Sequence, residues 1–412
     1  MKRRQAIKNL SILPVSGVAL GSSLALGSTL TSCSSSSKPQ RDIFKELGIR
    51  TFINAAGTYT ALSASTMYDE VLETIQFSSQ QYATISEVQD AVGAKIAELC
   101  HAEAAMVTAG CFSALILGTA GALTCDEDAA TTRRNVSLLP HLEVNGLKSE
   151  ILSQKSHNNG YVHALKLTGA KIIEVETVED VRKAINPKTA MMWFLNYAGP
   201  NGQIKAKEWA DLGNEYGIPT MNDIAADATP VENLWKFNDM GFSLVCISGG
   251  KGLRGPQSAG ILMGKKDLIA AARLNAPPNV SIGRGMKVNK EEILGMYVAL
   301  EKFINSDHKA MWKMWEDRIA VIENAVKAVD GVTTSEIIQE VANITPTLSV
   351  SWDQEKIKIN AIELRNRLKE GTPSIEMMGG RDNCIITAWM MHDGDDKIVA
   401  SRMVEELKKA MV

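Results

Sequence analysis

The sequence predicts an α/β fold: a mostly parallel sheet covered by helices, followed by a smaller α+β C-terminal domain. Three observations carry this. From about Asp42 onward, short apolar runs alternate with amphipathic stretches, the alternation that builds parallel sheets. The run Ala190 to Leu195 is apolar throughout, as a buried strand is. After Met286 the alternation gives way to two long helical patterns. A chain of 412 residues exceeds one small core and divides into a large domain at 42–289 and a small one at 290–412.

The elements follow in order. Ala104–Val107 reads as a strand, followed by a small-residue helix over Ser113–Leu123. Lys171–Val175 is strand-like and Val178–Ala184 helical. Lys205–Tyr216 is a helix closed by Gly217 before Pro219, because glycine accepts the left-handed conformation that ends a helix. Pro219–Ile224 is another strand, and strands Phe242–Ile247 and Ala259–Met263 flank a glycine-rich turn. Helices are expected at Lys290–Phe303, Lys309–Val329, Asn360–Lys369 and Lys397–Met411, with strands at Thr347–Val350 and Ile385–Thr387.

The composition is that of an ordinary globular protein, 45% hydrophobic and 22% charged. A net charge of -3 gives no global case for nucleic-acid binding. None of the six cysteines forms a C-x-x-C pair and no histidine spacing matches a metal motif, so no metal site is expected. The N-terminus is a different matter. Met1 to Lys8 is basic and contains Arg3-Arg4, and no further charge appears until Lys38. This layout resembles a twin-arginine export signal over residues 1–32. Leu30-Thr31-Ser32-Cys33 resembles a bacterial lipobox, which implies lipid attachment at Cys33 and a serine-rich tether over 33–41. The expected location is the cell envelope, on the periplasmic side, held to the membrane by that lipid.

Three segments carry chemistry. In Ser248-Gly249-Gly250-Lys251-Gly252 a lysine sits in a glycine-rich turn between two apolar strands. Burial favours its neutral amine and hence Schiff-base chemistry, and the Ser248 hydroxyl can meet a phosphate. The competing reading is a solvated lysine on a hairpin. Asp223 ends a predicted buried strand, where it can pair with a protonated pyridine nitrogen or simply cap a helix; Asp227 looks like a helix-start residue. Ala109-Gly110-Cys111 follows a strand and opens a helix, whose free N–H groups can hold an anion. A tight turn with no ligand explains the same residues.

Taken together, the order of these segments resembles the fold-type I pyridoxal-phosphate (PLP) enzymes, the aspartate aminotransferase superfamily. Ile53-Asn54-Ala55-Ala56-Gly57-Thr58, the Lys251 segment with Gly255-Pro256-Gln257, and Gly283-Arg284-Gly285-Met286-Lys287-Val288 resemble the bacterial selenocysteine synthase family, and within it the D-glucosaminate-6-phosphate ammonia-lyase group. The resemblance spans about Asp42 to the C-terminus. It implies PLP on Lys251, Asp223 beneath the ring nitrogen, phosphate contacts from Ala109, Gly110, Cys111 and Ser248, and Arg284 as a substrate clamp. It also brings His157 near the ring, with Tyr161 and His163 competing for that place, while Arg284 could equally be a surface residue. Cys111 departs from the smaller or hydroxylated residue usual in the family. Selenocysteine synthases hold their tRNA partly through an N-terminal domain; here the family core begins almost directly after the tether, so selenium transfer to tRNA is not expected. The implied activity is elimination and deamination of a hydroxylated amino acid or amino-sugar acid by a homodimer or larger homo-oligomer. An aminotransferase, a selenium-transferase-like enzyme and a non-catalytic envelope lipoprotein that binds an amino compound are the alternatives.

Overall fold

The structure is a computed structural model that describes residues 41–412. The signal over 1–32, the Cys33 lipidation site and nearly all of the tether lie outside the described residues. The chain forms two compact units, one ending at Arg50 and one spanning Thr51–Val412. In the first, the Asp42 carboxylate accepts the Lys45 N–H and caps the short helix Ile43–Glu46.

The strands of the second unit are β1 (Ile53–Asn54), β2 (Ala104–Thr108), β3 (Glu150–Gln154), β4 (Lys171–Val175), β5 (Thr189–Leu195), β6 (Thr220–Asp223), β7 (Leu244–Ser248), β8 (Gly260–Gly264), β9 (Val332–Ile337), β10 (Thr347–Trp352), β11 (Ile375–Glu376) and β12 (Cys384–Thr387). Seven of them form one sheet in the order β2-β8-β7-β6-β5-β3-β4. Every pair is parallel except those of β8, which runs antiparallel to β2 and β7. The predicted mostly parallel sheet is therefore present. β5 is buried along its whole length, as its apolar run requires. A smaller antiparallel sheet, β12-β10-β9, follows in the C-terminal part. β1 pairs in parallel with β11, so the start of this unit is tied to its C-terminal layer.

Local signals set the helix ends. Thr177 and Asp180 make a reciprocal capping box before Val178–Ala184, and Asn289 and Glu292 make another before Lys290–Ile304. Gly217 ends Ala206–Tyr216 in the left-handed conformation. The helix Gly110–Thr124 is buried on nearly all sides, between the sheet and the helix Lys266–Leu274. Its small residues allow this: a Cβ at Gly118 would lie 2.8 Å from Met221 Sδ. Among the described residues, no helix is long and apolar enough to cross a membrane.

Candidate active site

The site lies at the carboxyl ends of the parallel strands, the usual ligand position in open α/β sheets. Register brings its parts together. Asp223 at the end of β6 is opposite Cys246 in β7. Ser248 at the end of β7 is opposite Gly260 in β8, and Gly260 is opposite Thr108 in β2. Thr108 leads into Ala109, Gly110 and Cys111 at the helix start. Gly110 turns with φ +82°, and a Cβ on Gly260 would sit 2.6 Å from its carbonyl carbon. Two glycines thus let the helix start fold over the sheet edge. Ala109 occupies the cap position of this helix and offers no side-chain acceptor. The first N–H groups stay available to an anion.

Lys251 follows β7 in a loop closed by its own backbone, Gly255 N–H donating to Gly249 O (2.8 Å) and Arg254 N–H to Lys251 O (3.0 Å), and held from outside by Ser65 Oγ, which donates to Gly250 O (2.8 Å). The loop glycines serve this packing, since a Cβ at Gly252 would meet Ala228 at 2.9 Å and Trp389 at 3.0 Å.

Lys251 and Asp223 line one cavity of about 500 Å³ with Gly57, Tyr161, Tyr197 and Asn343 among its walls. The lysine is partly buried, so the solvated-hairpin alternative does not describe it. Asp223 is 2% exposed, and its Oδ1 accepts the Ala225 N–H at 3.0 Å. Burial raises its pKa from 3.8 to about 6, even though that N–H and the Lys251 charge both oppose the shift. A buried carboxylate with so few donors is suited to a cationic N–H partner.

Asp227 overturns the sequence expectation. It starts no helix; the next one begins at Asn233. It is 1% exposed, and its Oδ1 accepts the Ala342 N–H at 2.7 Å, while burial raises its pKa. Asn343 N–H donates to Ala226 O (2.7 Å) and Thr58 Oγ1 donates to Asn343 Oδ1 (2.9 Å). Ala342 and Asn343 both have positive φ, 57° and 49°, a conformation held by these bonds. The segment around residue 342 is therefore pinned as a wall of the cavity. Asn54 shapes the adjoining part of the wall: its Oδ1 accepts the N–H groups of Ala56 and Gly57, each at 3.0 Å.

The remaining expected residues divide. Cys111 lies beside Asp223, Sγ to Oδ1 3.7 Å. The Cys246 thiol lowers the Cys111 pKa, but burial and the Asp223 carboxylate outweigh it and leave it raised. His157 is fully buried, edge-on to Phe194 with ring centres 4.5 Å apart, and does not line the cavity; Tyr161 does. His157 Nδ1 accepts the Leu195 N–H at 3.2 Å, and burial lowers its pKa to about 4, so the ring is neutral at pH 7. Arg284 is exposed and lines a separate cavity with Tyr82, Pro277 and Lys287. Tyr197, Asn343 and Thr387 line the Lys251 cavity without having carried any sequence signal; Thr58 stood within the quoted Asn54 motif.

A family model described as SelA, L-seryl-tRNA selenium transferase, matches residues 162–342. A solved D-glucosaminate-6-phosphate ammonia-lyase superposes with TM-score 0.78 at 22% identity, covering 90% of this chain and 99% of that one. This chain is similar to the SelA-like family over residues 162–342. The D-glucosaminate-6-phosphate ammonia lyase of Salmonella typhimurium is 24% identical to this chain over 345 residues, 81% of this chain and 88% of the relative. A 5'-C-glycyluridine monooxygenase-decarboxylase from a Streptomyces species is 23% identical over 383 residues, 88% and 91%. The SelA-like and ammonia-lyase relatives are PLP enzymes of fold type I, and the sheet order and strand-end site here have that architecture. The residues present fit the cofactor: a lysine and a donor-poor buried carboxylate share one cavity, beside a helix start without a side-chain cap.

Proposed function

We propose that this SelA-like protein is a PLP-dependent lyase that removes ammonia from a hydroxylated amino acid or amino-sugar acid. The observation that carries the cofactor assignment is the shared cavity of Lys251 and Asp223. Bound PLP supplies an electron-withdrawing ring that makes a proton on the substrate's amine-bearing carbon removable. Lys251 would hold the cofactor, and its amine is the base in the cavity that would take that proton. Asp223 would accept a ring-nitrogen N–H, which would favour the carboxylate against the cost of burial. The N–H groups at Gly110 and Cys111, with the Ser248 hydroxyl, receive the phosphate. Asp227 pins the segment around Ala342 and so keeps the cavity shaped. Thr58, Tyr161, Tyr197 and Asn343 offer hydroxyl and amide groups that suit a hydroxylated substrate.

The ammonia-lyase relative, matched over most of both chains, supports the lyase reaction. The basic N-terminus and Leu30-Thr31-Ser32-Cys33 support an envelope location with a lipid anchor at Cys33. The usual oligomeric state of the PLP-dependent relatives supports a homodimer or larger homo-oligomer. The test is an absorption spectrum of the purified full chain before and after borohydride, with Lys251→Ala alongside. Hydroxylated amino acids and amino-sugar acids are then assayed for released ammonia. A cofactor that borohydride does not fix to the wild type refutes the Lys251 assignment. Turnover that consumes a keto-acid acceptor without ammonia refutes the lyase in favour of an aminotransferase.

A further inference from the structure

The thiols of Cys111 and Cys246 have no part in the chemistry above, yet the fold brings them together. Cys246 is opposite Asp223 across β6 and β7, and strand alternation puts both side chains on one sheet face. The start of the helix Gly110–Thr124 brings Cys111 over that face. One ligand atom from each of the three residues lies within 4.8 Å of the others, and all three residues are buried. Cys111 Sγ is 3.7 Å from Asp223 Oδ1. A tetrahedral ion with metal–sulfur bonds of about 2.3 Å and metal–oxygen bonds of about 2.1 Å separates its ligand atoms by roughly 3.5–3.8 Å. The Cys111–Asp223 distance already matches that spacing. The second observation is the state of Asp223. Its Oδ1, the atom 3.7 Å from Cys111 Sγ, accepts the Cys111 thiol and the Ala225 N–H, so loss of the thiol proton frees a lone pair there for a ligand. Asp223 also lines the Lys251 cavity, which supplies an entry path and room for a fourth ligand such as water.

We propose that Cys111, Cys246 and Asp223 form a site for a thiophilic divalent d10 cation, zinc or cadmium, in the cofactor-free chain, and that cation and PLP exclude one another because both use the Asp223 carboxylate. Two sulfurs with one oxygen suit such ions, whereas magnesium or calcium asks for oxygen alone. Binding releases two thiol protons to solvent and moves no electrons. Two thiolates and a carboxylate leave one net negative charge around the ion, balanced by Lys251 in the same cavity. The exclusion, but not the cation site, rests on the reading of Asp223 as the ring-nitrogen partner.

The test uses the full chain freed of cofactor, in a Cys33→Ala background so that no N-terminal thiol contributes. Cadmium is titrated while the ultraviolet thiolate-to-cadmium charge-transfer absorbance is recorded. One ion per chain is expected. Cys111→Ala and Cys246→Ala, each checked by circular dichroism, should weaken binding by more than the roughly 10–100-fold that losing an outer-shell partner costs. Cys100→Ala, at a buried thiol elsewhere in the core, should change nothing. Asp223→Asn keeps both thiols and should retain the absorbance at weaker affinity. Prior loading with PLP should raise the cadmium midpoint. No thiolate absorbance in the parent chain, or an unchanged midpoint in both folded cysteine variants, overturns the site. Cofactor that binds without moving the midpoint overturns the exclusion. A chain that binds cadmium but never PLP upholds the site and refutes the cofactor assignment instead.

Discussion

Replacing Asp223 by asparagine should stabilise the cofactor-free protein, although the residue is central to the proposed chemistry. Burial raises the Asp223 pKa from 3.8 to about 6. Each unit is worth about 1.4 kcal/mol, so the ionised carboxylate costs the native state about 3 kcal/mol. The sign follows from proton counting. Between pH 3.8 and about 6 the native chain keeps a proton that the unfolded chain has released. Stability therefore falls as pH rises through that window, and the full cost is present above it. Asparagine has nearly the same shape and never ionises. The stability of Asp223→Asn relative to the wild type should grow by about 2 kcal/mol between pH 4.5 and pH 8. The assay is urea unfolding of both proteins without cofactor, with a chelator present, at the two pH values. His157 titrates in both proteins and cancels in the comparison. A stability difference that does not change with pH refutes the argument, because it would mean that Asp223 is not ionising in a buried site. Once PLP is bound the order should reverse, with Asp223→Asn holding the cofactor more weakly.

Three other predictions concern the frame of the site. His157 is a base whose native pKa lies near 4, below its ordinary 6.5, so the unfolded chain takes the proton first as pH falls. The wild type should lose up to about 3 kcal/mol between pH 7 and pH 4 through this ring, and His157→Gln should not show that loss in urea unfolding. Asp227→Ala leaves the Ala342 N–H without its buried acceptor and should cost about 1–3 kcal/mol, speed proteolysis near residue 342 and raise KM more than it lowers kcat. Asp227→Asn keeps an acceptor and should restore most of this. Gly260→Ala forces a Cβ to 2.6 Å from the Gly110 backbone, which cannot swing away as a side chain could. The expected loss is about 1–3 kcal/mol in thermal unfolding, with weaker PLP binding because the helix start shifts.

Local pattern made much of this fold readable. The apolar run at Ala190–Leu195 is β5 within one residue, because a strand buried on both faces must be apolar throughout. Val178–Ala184 matched because its capping box is written in adjacent residues. β3 was not foreseen, since Glu150 and Gln154 bracket only a short apolar core and Gln154 is buried by bonding the Ile204 backbone, 50 residues away. The polar, half-exposed β9 was missed for a similar reason. Lys251 and Asp223 were legible because each sits at the end of a readable strand and the two fall in the family's order. Asp227 was misread because an aspartate after a strand looks the same whether it caps a helix or bonds Ala342, 115 residues on.

The sequence alone determined which segments become strands and helices, and which lysine and carboxylate lie at strand ends, because those properties come from neighbours within a few residues. Only the tertiary structure decided that Gly260 lies between Ser248 and Thr108, that the segment around Ala342 walls the cavity, and that two cysteines meet at Asp223. Strand order across crossover connections sets these contacts, and a chain carries no local mark of which distant strand will pair with it.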